Sequence, residues 1–411
     1  MKSDGHNIPF ETLMGYYGNK TPDLALNVPA SKQYSELAFM QELFGTDKVA
    51  HAGTIATLRE KLAEGYISDY EVKTGDHFTK ERRSYIYEKI CGVKWQDRIC
   101  PGSVIVLPQE MTFEDITPLK EAQSPSPIKK ATHFDYHSVH DTIIKLDALG
   151  HPVPDMLKLL EEFTGVSIQN VVWNDPEMYA LFSRADTLGI WEFDTDFMKD
   201  MLLKLKPKSF HDLVQIWGLS YGTGIWIDNC DQLLYDGHLL SELPALRDDI
   251  FLQLMQYGLE KSSSFRIAEC VRKGALCHNA NWTLELVERM RNNNVPEWYI
   301  QSLRKVRYLS PKAHETAYAM NAVRMAWYKI YYPTELYAAY LSCCFPGGEP
   351  IVRINDLSIF PEDDQSDNRY FLEVIDTCSQ QGIQLLKPDS EKSHCVNYLP
   401  ERGNIRMPAV T

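Results

Sequence analysis

The chain has 411 residues, of which 44% are hydrophobic, so it can bury a large core and fold as two or three domains. Its formal net charge of −14 argues against phosphate binding over most of its surface. No stretch approaches the roughly 20 continuous apolar residues that cross a bilayer, and the first residues lack a signal peptide's apolar run, so we expect a cytoplasmic protein without membrane contact.

One segment departs from the acidic average. Residues 261–329 contain 12 lysines and arginines against five acidic residues, a local net charge of +7. A solvated helical surface would explain this excess, and an electrostatic footprint for a polyanion is the functional alternative. The nine cysteines include no Cys-x-x-Cys pair, which favours free thiols over a disulfide framework or a zinc ribbon.

The first 150 residues mix strand and helix patterns, as in an α+β domain. Alternating or β-branched runs predict strands at 21–28, 103–107 and 132–136, and helices are expected at 34–44 and 80–91.

Beyond His151 the apolar residues recur at spacings of three and four, which predicts a largely helical region. The predicted helices include 156–163, 178–182, 197–205, 246–257 and 284–290. Prolines after Asp175 and Ser310 indicate helix starts, and Gly218, Gly258 and Gly274 indicate helix ends. Residues 345–368 have the composition of a linker, followed by a helix at 370–380 and a strand at 382–386.

A carboxylate lies on the first predicted strand. Because side chains two apart on a strand point to the same face, Asp23 and position 25 would lie side by side. An Asp-x-Asp pair there could hold the Mg²⁺ ions of two-metal phosphoryl transfer, but Ala25 has no metal ligand. Taken alone, Asp23 after proline is more typical of a turn or cap residue.

A second polar cluster, at 133–141, contains three histidines and Asp135. Its spacing fits no standard zinc pattern, so a carboxylate carried by a sheet is the simpler interpretation. On the predicted strand, His133, Asp135 and His137 would share one face.

Several motifs occur in the order known from one protein family. They are DGHNIPFET at 4–12, PDLALN at 22–27, AGTI at 52–55, HFDYHSVHD at 133–141 and KLDALGH at 145–151. They resemble the DGHDIPFET, PDIDLNFSGE, RAGTI, HFDFHSIHD and KLDILGH motifs of the PolC-type bacterial DNA polymerase III alpha subunit. The later motifs WEF, GLSYGT, RDDI, VRKG, VPEWYI and PKAH, between 191 and 314, resemble that family's fingers.

The resemblance covers residues 3–342 and extends more loosely to 411. It implies an α+β fold with a nucleotidyltransferase-like palm remnant at 1–150, a helical fingers domain at 151–342, and a linker with the start of a clamp-binding or C-terminal domain at 343–411. The family's reaction is DNA-directed DNA synthesis, so primer-template DNA and deoxynucleoside triphosphates are the implied partners.

The resemblance also implies site residues. Asp23 and Asp135 would occupy two of the three catalytic aspartate positions and bind Mg²⁺, with Ala25 at the third. In the fingers, the residues implied to contact DNA or nucleotide are cations and one stacking tyrosine, namely Arg272, Lys273, Arg304, Lys305, Lys312, His314, Arg324 and Tyr318.

Departures from the family predict impaired chemistry. Ala25 removes one metal ligand, and the family's Gly-Ser triphosphate motif would lie before residue 1, so we expect little or no polymerisation by this chain alone. Two alternatives stay open, a non-catalytic DNA-binding or replisome-interaction protein and one part of a split polymerase. Residues 356–360, DLSIF, resemble a peptide that docks into the sliding clamp, although an ordinary apolar turn is the simpler interpretation.

Overall fold

The computed structural model describes residues 2–3, 6–21, 24–122, 125–139, 143–277, 281–348 and 364–409. The chain divides into two compact units, one formed by Lys20–His151 and the other by Met1–Asn19 together with Pro152–Thr411. Among the described helices, none is both long and apolar enough to cross a membrane.

The strands and helices are numbered in chain order. The strands are β1 (Lys2–Ser3), β2 (His6–Asn7), β3 (Leu24–Pro29), β4 (Val49–Thr57), β5 (Lys94–Val106), β6 (Leu119–Glu121), β7 (Lys130–Thr132), β8 (Ile144–His151), β9 (Leu385–Leu386), β10 (Leu399–Glu401) and β11 (Asn404–Arg406). The helices are α1 (Phe10–Met14), α2 (Gln33–Phe44), α3 (Glu60–Thr74), α4 (Lys80–Ile90), α5 (Pro152–Thr164), α6 (Pro176–Ser183), α7 (Asp196–Leu205), α8 (Phe210–Tyr221), α9 (Asp231–Tyr235), α10 (Arg247–Gln256), α11 (Lys261–Arg272), α12 (Asn281–Asn292), α13 (Glu297–Lys305), α14 (Lys312–Tyr331), α15 (Pro333–Cys344) and α16 (Asp364–Gln380).

The sheet of the Lys20–His151 unit has the strand order β3-β8-β5-β4-β7-β6. Strands β3 and β8 are parallel, whereas β5 is antiparallel to both of its neighbours, β8 and β4. Strand alternation gives the sheet two faces. Helix α2 covers one face with Leu37 and Met40, three residues apart, and the other carries a smaller apolar cluster around Ile105 and Phe113.

The second unit is a helical body with one continuous core. In this unit α8 packs on α14 and α5 packs on α15. The N-terminal segment belongs to it because the Thr12 hydroxyl donates a 2.5 Å hydrogen bond to the buried Asp248 carboxylate on α10. An ion pair between Glu11 and Lys261 adds a second attachment.

The α+β fold predicted from the sequence is confirmed, and so are most of its elements. The strands near 21–28 and 103–107 are β3 and part of β5, and helices 34–44 and 80–91 are α2 and α4 within one residue at each end. The helices predicted between 156 and 290 are present as α5, α6, α7, α10 and α12.

The strand predicted at 132–136 is wrong beyond Thr132, where β7 ends. Asp135 instead begins a short helical turn at Tyr136–Ser138, because its carboxylate accepts a hydrogen bond from the His137 backbone N–H. This capping bond satisfies a backbone donor that a strand would have paired with a neighbour.

Two further expectations differ from the structure. Gly218 does not end a helix but lies inside α8, and helix α16 begins at Asp364, within the expected linker. The compact units meet at His151 and Pro152, next to the predicted boundary at 150, but Met1–Asn19 groups with the helical body and no division falls at 342. Palm, fingers and C-terminal domain stay predictions as functional divisions.

Candidate functional site

The first candidate site lies on the sheet face that carries position 25. The parallel register of β3 and β8 places Ala25 beside Asp147, so their side chains project from the same face. The two carboxylate oxygens of Asp147 are both engaged: Oδ1 accepts a 2.5 Å hydrogen bond from the Ser103 hydroxyl, and Oδ2 lies 2.8 Å from the Lys145 ammonium. The sheet therefore carries an Asp–Lys ion pair next to a methyl group.

Lys145 is fixed on this face from two sides. It is two residues before Asp147 on β8, which gives both side chains the same direction, and its ammonium lies 4.8 Å from the centre of the Tyr136 ring. The side chains of Lys145 and Asp147 are only 15% and 17% exposed, so water screens their attraction less than on an open surface.

Asp135 has a different set of partners. Its Oδ2 accepts hydrogen bonds from the backbone N–H of Ile55 at 2.7 Å and the hydroxyl of Thr54 at 3.1 Å, and its Oδ1 lies 2.6 Å from Nδ1 of His137. Burial raises the pKa of the Asp135 carboxyl, but the hydrogen bonds from Ile55 and His137 outweigh it, so the pKa lies below its ordinary value. The carboxylate is therefore ionised at neutral pH.

These contacts separate Asp135 from position 25. Asp135 is bound to β4, which lies two strands, or about 10 Å, from β8 in the sheet. The structure thus places Asp147, and not Asp135, beside Ala25. Asp23, the other predicted carboxylate, lies outside the described residues.

Asp147 was absent from the residues selected on the sequence. The available signal was the alternation Lys145-x-Asp147 within an apolar strand, where polar residues two apart mark one face. It becomes informative only with the register, which pairs that face with Ala25.

The second candidate site is a basic surface on the helical body. Lys273, Lys305 and Arg307 are all exposed. The chain brings them together, because the backbone N–H of Leu309 donates to the carbonyl of Arg272 at 3.2 Å, and a Cβ on Gly274 would lie 2.4 Å from the carbonyl of Arg307. Arg307 was not among the residues selected on the sequence.

Aromatic side chains form a cluster between α8 and α14. Trp217 stacks on Tyr318 with ring centres 5.7 Å apart, and His314 lies 4.7 Å from Tyr318 and 5.9 Å from Tyr221. Burial lowers the pKa of His314 against a smaller opposing effect of Glu192, so its imidazole is neutral at pH 7. Tyr221 is 37% exposed and can present a ring face to a base.

Other predicted contacts are placed less favourably for binding phosphate. Lys312 is buried, and its ammonium lies 2.7 Å from the Asp249 carboxylate. Arg272 pairs with Glu269, and Arg304 is half-buried on α13. Arg324 lies ten residues, or about 15 Å, along α14 from His314, with its guanidinium over the Trp173 ring.

Comparison with known proteins agrees with the motifs. Residues 1–85 match the family described as bacterial DNA polymerase III alpha NTPase domain, and residues 142–251 match the bacterial DNA polymerase III alpha subunit finger domain. The DNA polymerase III PolC-type of Thermotoga maritima is 37% identical over 99% of this chain and 32% of its own length. This chain is a homologue of the PolC-type DNA polymerases III.

Other PolC-type relatives show the same relation. The protein of Bacillus subtilis is 40% identical over 83% of this chain and 25% of its own length. That of Lacticaseibacillus paracasei is 35% identical over 97% of this chain and 29% of its own length. The chain therefore spans about a third or less of the PolC-type proteins that it matches.

Proposed function

We propose that this PolC-type homologue binds primed DNA and deoxynucleoside triphosphate through its helical body and does not extend primers by itself. The support for binding is the exposed group of Lys273, Lys305 and Arg307 on the same helical body as the aromatic cluster that contains His314 and Tyr318. Cations that neutralise phosphates and rings that stack on bases are the two components of sequence-tolerant nucleic-acid binding.

The single observation that supports the proposed lack of primer extension is the pairing of Ala25 with Asp147 in the sheet. Two-metal phosphoryl transfer uses carboxylates on neighbouring strands of one sheet, and here a methyl group stands where the register offers a place for a second carboxylate. We propose Asp147 as a carboxylate of this face in addition to the predicted Asp23.

Primer extension tests the proposal. With Mg²⁺, a primed template and all four deoxynucleotides, we expect no detectable product from the unaltered chain, because losing a few kcal/mol of transition-state stabilisation costs several orders of magnitude in rate. Extension by Ala25→Asp, and its loss in Ala25→Asp/Asp147→Asn, would assign the defect to this face. Robust extension by the unaltered chain would refute the proposal.

One observation favours a second candidate, a part of a split polymerase. Among the strands that the structure describes, β3 lies at one edge of the sheet, and its Leu24 and Leu26 side chains are 46% and 51% exposed. An edge strand with exposed apolar side chains can accept a strand from another polypeptide. Extension that appears only when a palm fragment of a PolC relative is added would favour this candidate.

Four more detailed predictions are also part of the proposal. They are Mg²⁺ binding by Asp23 and Asp135, nucleotide contacts by the remaining selected cations, a cytoplasmic location, and contact with the sliding clamp or other replisome subunits. The clamp peptide at 356–360 lies outside the described residues.

A further inference from the structure

One buried carboxylate joins the N-terminal segment, residues 6–19, to a helix of the helical body. Asp248 on α10 has no exposed surface, and its two carboxylate oxygens bind different parts of the chain. Oδ1 accepts the 2.5 Å hydrogen bond from the Thr12 hydroxyl, and Oδ2 accepts a 3.0 Å hydrogen bond from the backbone N–H of Lys312. The N-terminal segment and the start of α14 therefore share one side chain.

The Thr12 hydroxyl has a single hydrogen, and two acceptors lie within its reach. The Pro9 carbonyl is 2.7 Å away, but it already accepts the Thr12 backbone N–H at 3.2 Å. A charged acceptor makes the stronger hydrogen bond, so the hydrogen goes to the Asp248 carboxylate. The Arg247 guanidinium lies 3.4 and 3.5 Å from the two oxygens of this carboxylate and makes longer contacts. Thr12 is therefore the close donor to Oδ1.

Helix α14 begins without a side-chain cap of its own. The first N–H groups of a helix have no acceptor inside it, and Pro311, which precedes α14, has no side-chain oxygen to offer. Asp248 supplies one such acceptor from α10 and places a negative charge at the positive end of the helix dipole. The Lys312 ammonium, 2.7 Å from the Asp249 carboxylate, is a second link between the same two helices. The start of α14 is therefore held by α10.

The first turn of α14 carries a residue of the aromatic cluster. His314 follows Lys312 by two residues in this turn. Its ring lies 4.7 Å from that of Tyr318 and 5.9 Å from that of Tyr221 on α8. A helix end that loses a capping contact opens more readily. Loss of the Asp248 contact would therefore loosen the position of the His314 ring.

We propose that Asp248 is a positioning residue, which couples the N-terminal segment to the start of α14 and so fixes the His314 ring. The Thr12 hydroxyl holds Oδ1, and this orients Oδ2 toward the backbone N–H of Lys312. The consequence for ligands rests on the proposed function: release of the N-terminal segment lowers the affinity of the helical body for primed DNA.

Hydrogen exchange tests the coupling in the free chain, without DNA. Thr12→Val removes the hydroxyl with little change of shape, and the backbone N–H groups at the start of α14 are expected to exchange about fivefold faster or more. Thr12→Ser keeps a hydroxyl and should exchange as the unaltered chain does. Amides inside α15 report the stability of the whole helical body, and their rates should change less than those at the start of α14.

Glu11→Gln is the matched control. Glu11 is the neighbouring residue of the same segment, and its ion pair with Lys261 attaches the segment to α11 and not to Asp248. The Lys261 side chain is 48% exposed, so the pair contributes little and its loss should leave the segment in place. Exchange at the start of α14 is expected to remain as in the unaltered chain.

A measurement on the unaltered chain decides the inference if Thr12→Val does not fold. Exchange in increasing urea, below the unfolding transition, shows which amides open together. The amides of the N-terminal segment and those at the start of α14 are expected to open in one step, with the same dependence on urea. Opening of the segment at lower urea, with unchanged exchange at the start of α14, would refute the coupling.

Three results from the variants would overturn the inference. They are equal exchange in Thr12→Val and the unaltered chain, an equal acceleration in Glu11→Gln, or an acceleration in α15 as large as that at the start of α14.

Fluorescence anisotropy of labelled primed DNA measures the consequence for ligands. Thr12→Val is expected to bind at least about threefold more weakly than Thr12→Ser, and equal affinities would contradict the role of Asp248 in fixing the His314 ring. Absence of DNA binding by the unaltered chain would refute the proposed function and leave hydrogen exchange to decide the inference.

Discussion

Glu315 shows how a single residue can set the pH response of the helical body. It lies on α14 with no exposed surface, and neither carboxylate oxygen makes a hydrogen bond of ordinary geometry with the described residues. Burial raises the pKa of Glu315 to about 8, against a smaller opposing effect of the Ser310 hydroxyl. The carboxyl is therefore protonated in the folded protein at neutral pH, whereas it is ionised in the unfolded chain.

This difference predicts that stability falls with rising pH. Between the ordinary pKa of 4.5 and the folded value of about 8, the folded state binds one more proton than the unfolded state, so the free energy of unfolding decreases as pH rises. Glu315→Gln removes the titrating group and is expected to flatten this dependence. Relative to the unaltered chain, the free energy of unfolding of the variant should be about 2 kcal/mol higher at pH 8 than at pH 6. Urea unfolding of the unaltered chain and of Glu315→Gln at pH 6 and pH 8 measures this difference in stability. An equal change of stability with pH in the two proteins would contradict the prediction.

Lys312 illustrates the limit of sequence reasoning for one residue. In the sequence it belongs to a basic segment and was selected as a phosphate contact. In the structure its ammonium lies against Asp249, and its backbone N–H donates to Asp248 at 3.0 Å. The carboxylates that contact Lys312 belong to a helix more than 60 residues away in the sequence. Composition alone could therefore not distinguish the buried Lys312 from the exposed Lys305.

At the scale of elements, Gly218 of α8 lies so close to residues 245 and 246 that a larger side chain has no room there. A Cβ on Gly218 would lie 2.3 Å from a methyl group of Leu246 and 3.0 Å from the Ala245 carbonyl. The glycine therefore marks packing inside the helix and not its end, which is why the expected helix end is wrong.

Alanine scanning of two helical glycines separates packing from helix propensity. Gly218→Ala is expected to destabilise the protein by about 1–3 kcal/mol, because overpacking outweighs the better propensity of alanine. Gly65→Ala in α3 is the control, since a Cβ there meets nothing within 4 Å, and it should stabilise by about 0.5–1 kcal/mol. Chemical unfolding measures both, and a neutral Gly218→Ala would show that Leu246 can move aside.

At the scale of the whole molecule, an acidic chain carries a local basic surface. The formal net charge is −14, yet Lys273, Lys305 and Arg307 are exposed together where α11 and α13 end. Because surface fields are screened beyond about 10 Å at 0.1 M salt, such a local group can bind phosphates despite the overall charge.

This arrangement predicts salt-dependent DNA binding. Affinity for primed DNA should fall steeply with salt, and Lys273→Glu/Lys305→Glu should weaken binding to all sequences and lower the salt slope by about 2. Lys158→Glu is the control, because Lys158 is an exposed cation on α5 whose nearest carboxylate partner, Glu162, lies one turn away. Fluorescence anisotropy across a salt series measures both, and a weakening confined to one sequence would indicate base recognition instead.

The sequence by itself determined the family, the α+β fold, and most helices and strands, because ordered motifs and apolar periodicity are local properties of the chain. It also placed Ala25 where the resemblance to the PolC-type family implies an aspartate. Only the tertiary structure decided which side chains are in contact. The β3–β8 register places Asp147 beside Ala25, and the Lys145 ammonium lies against the Asp147 carboxylate. Strand register and the burial of charges depend on residues far apart in sequence, so no local pattern contains them.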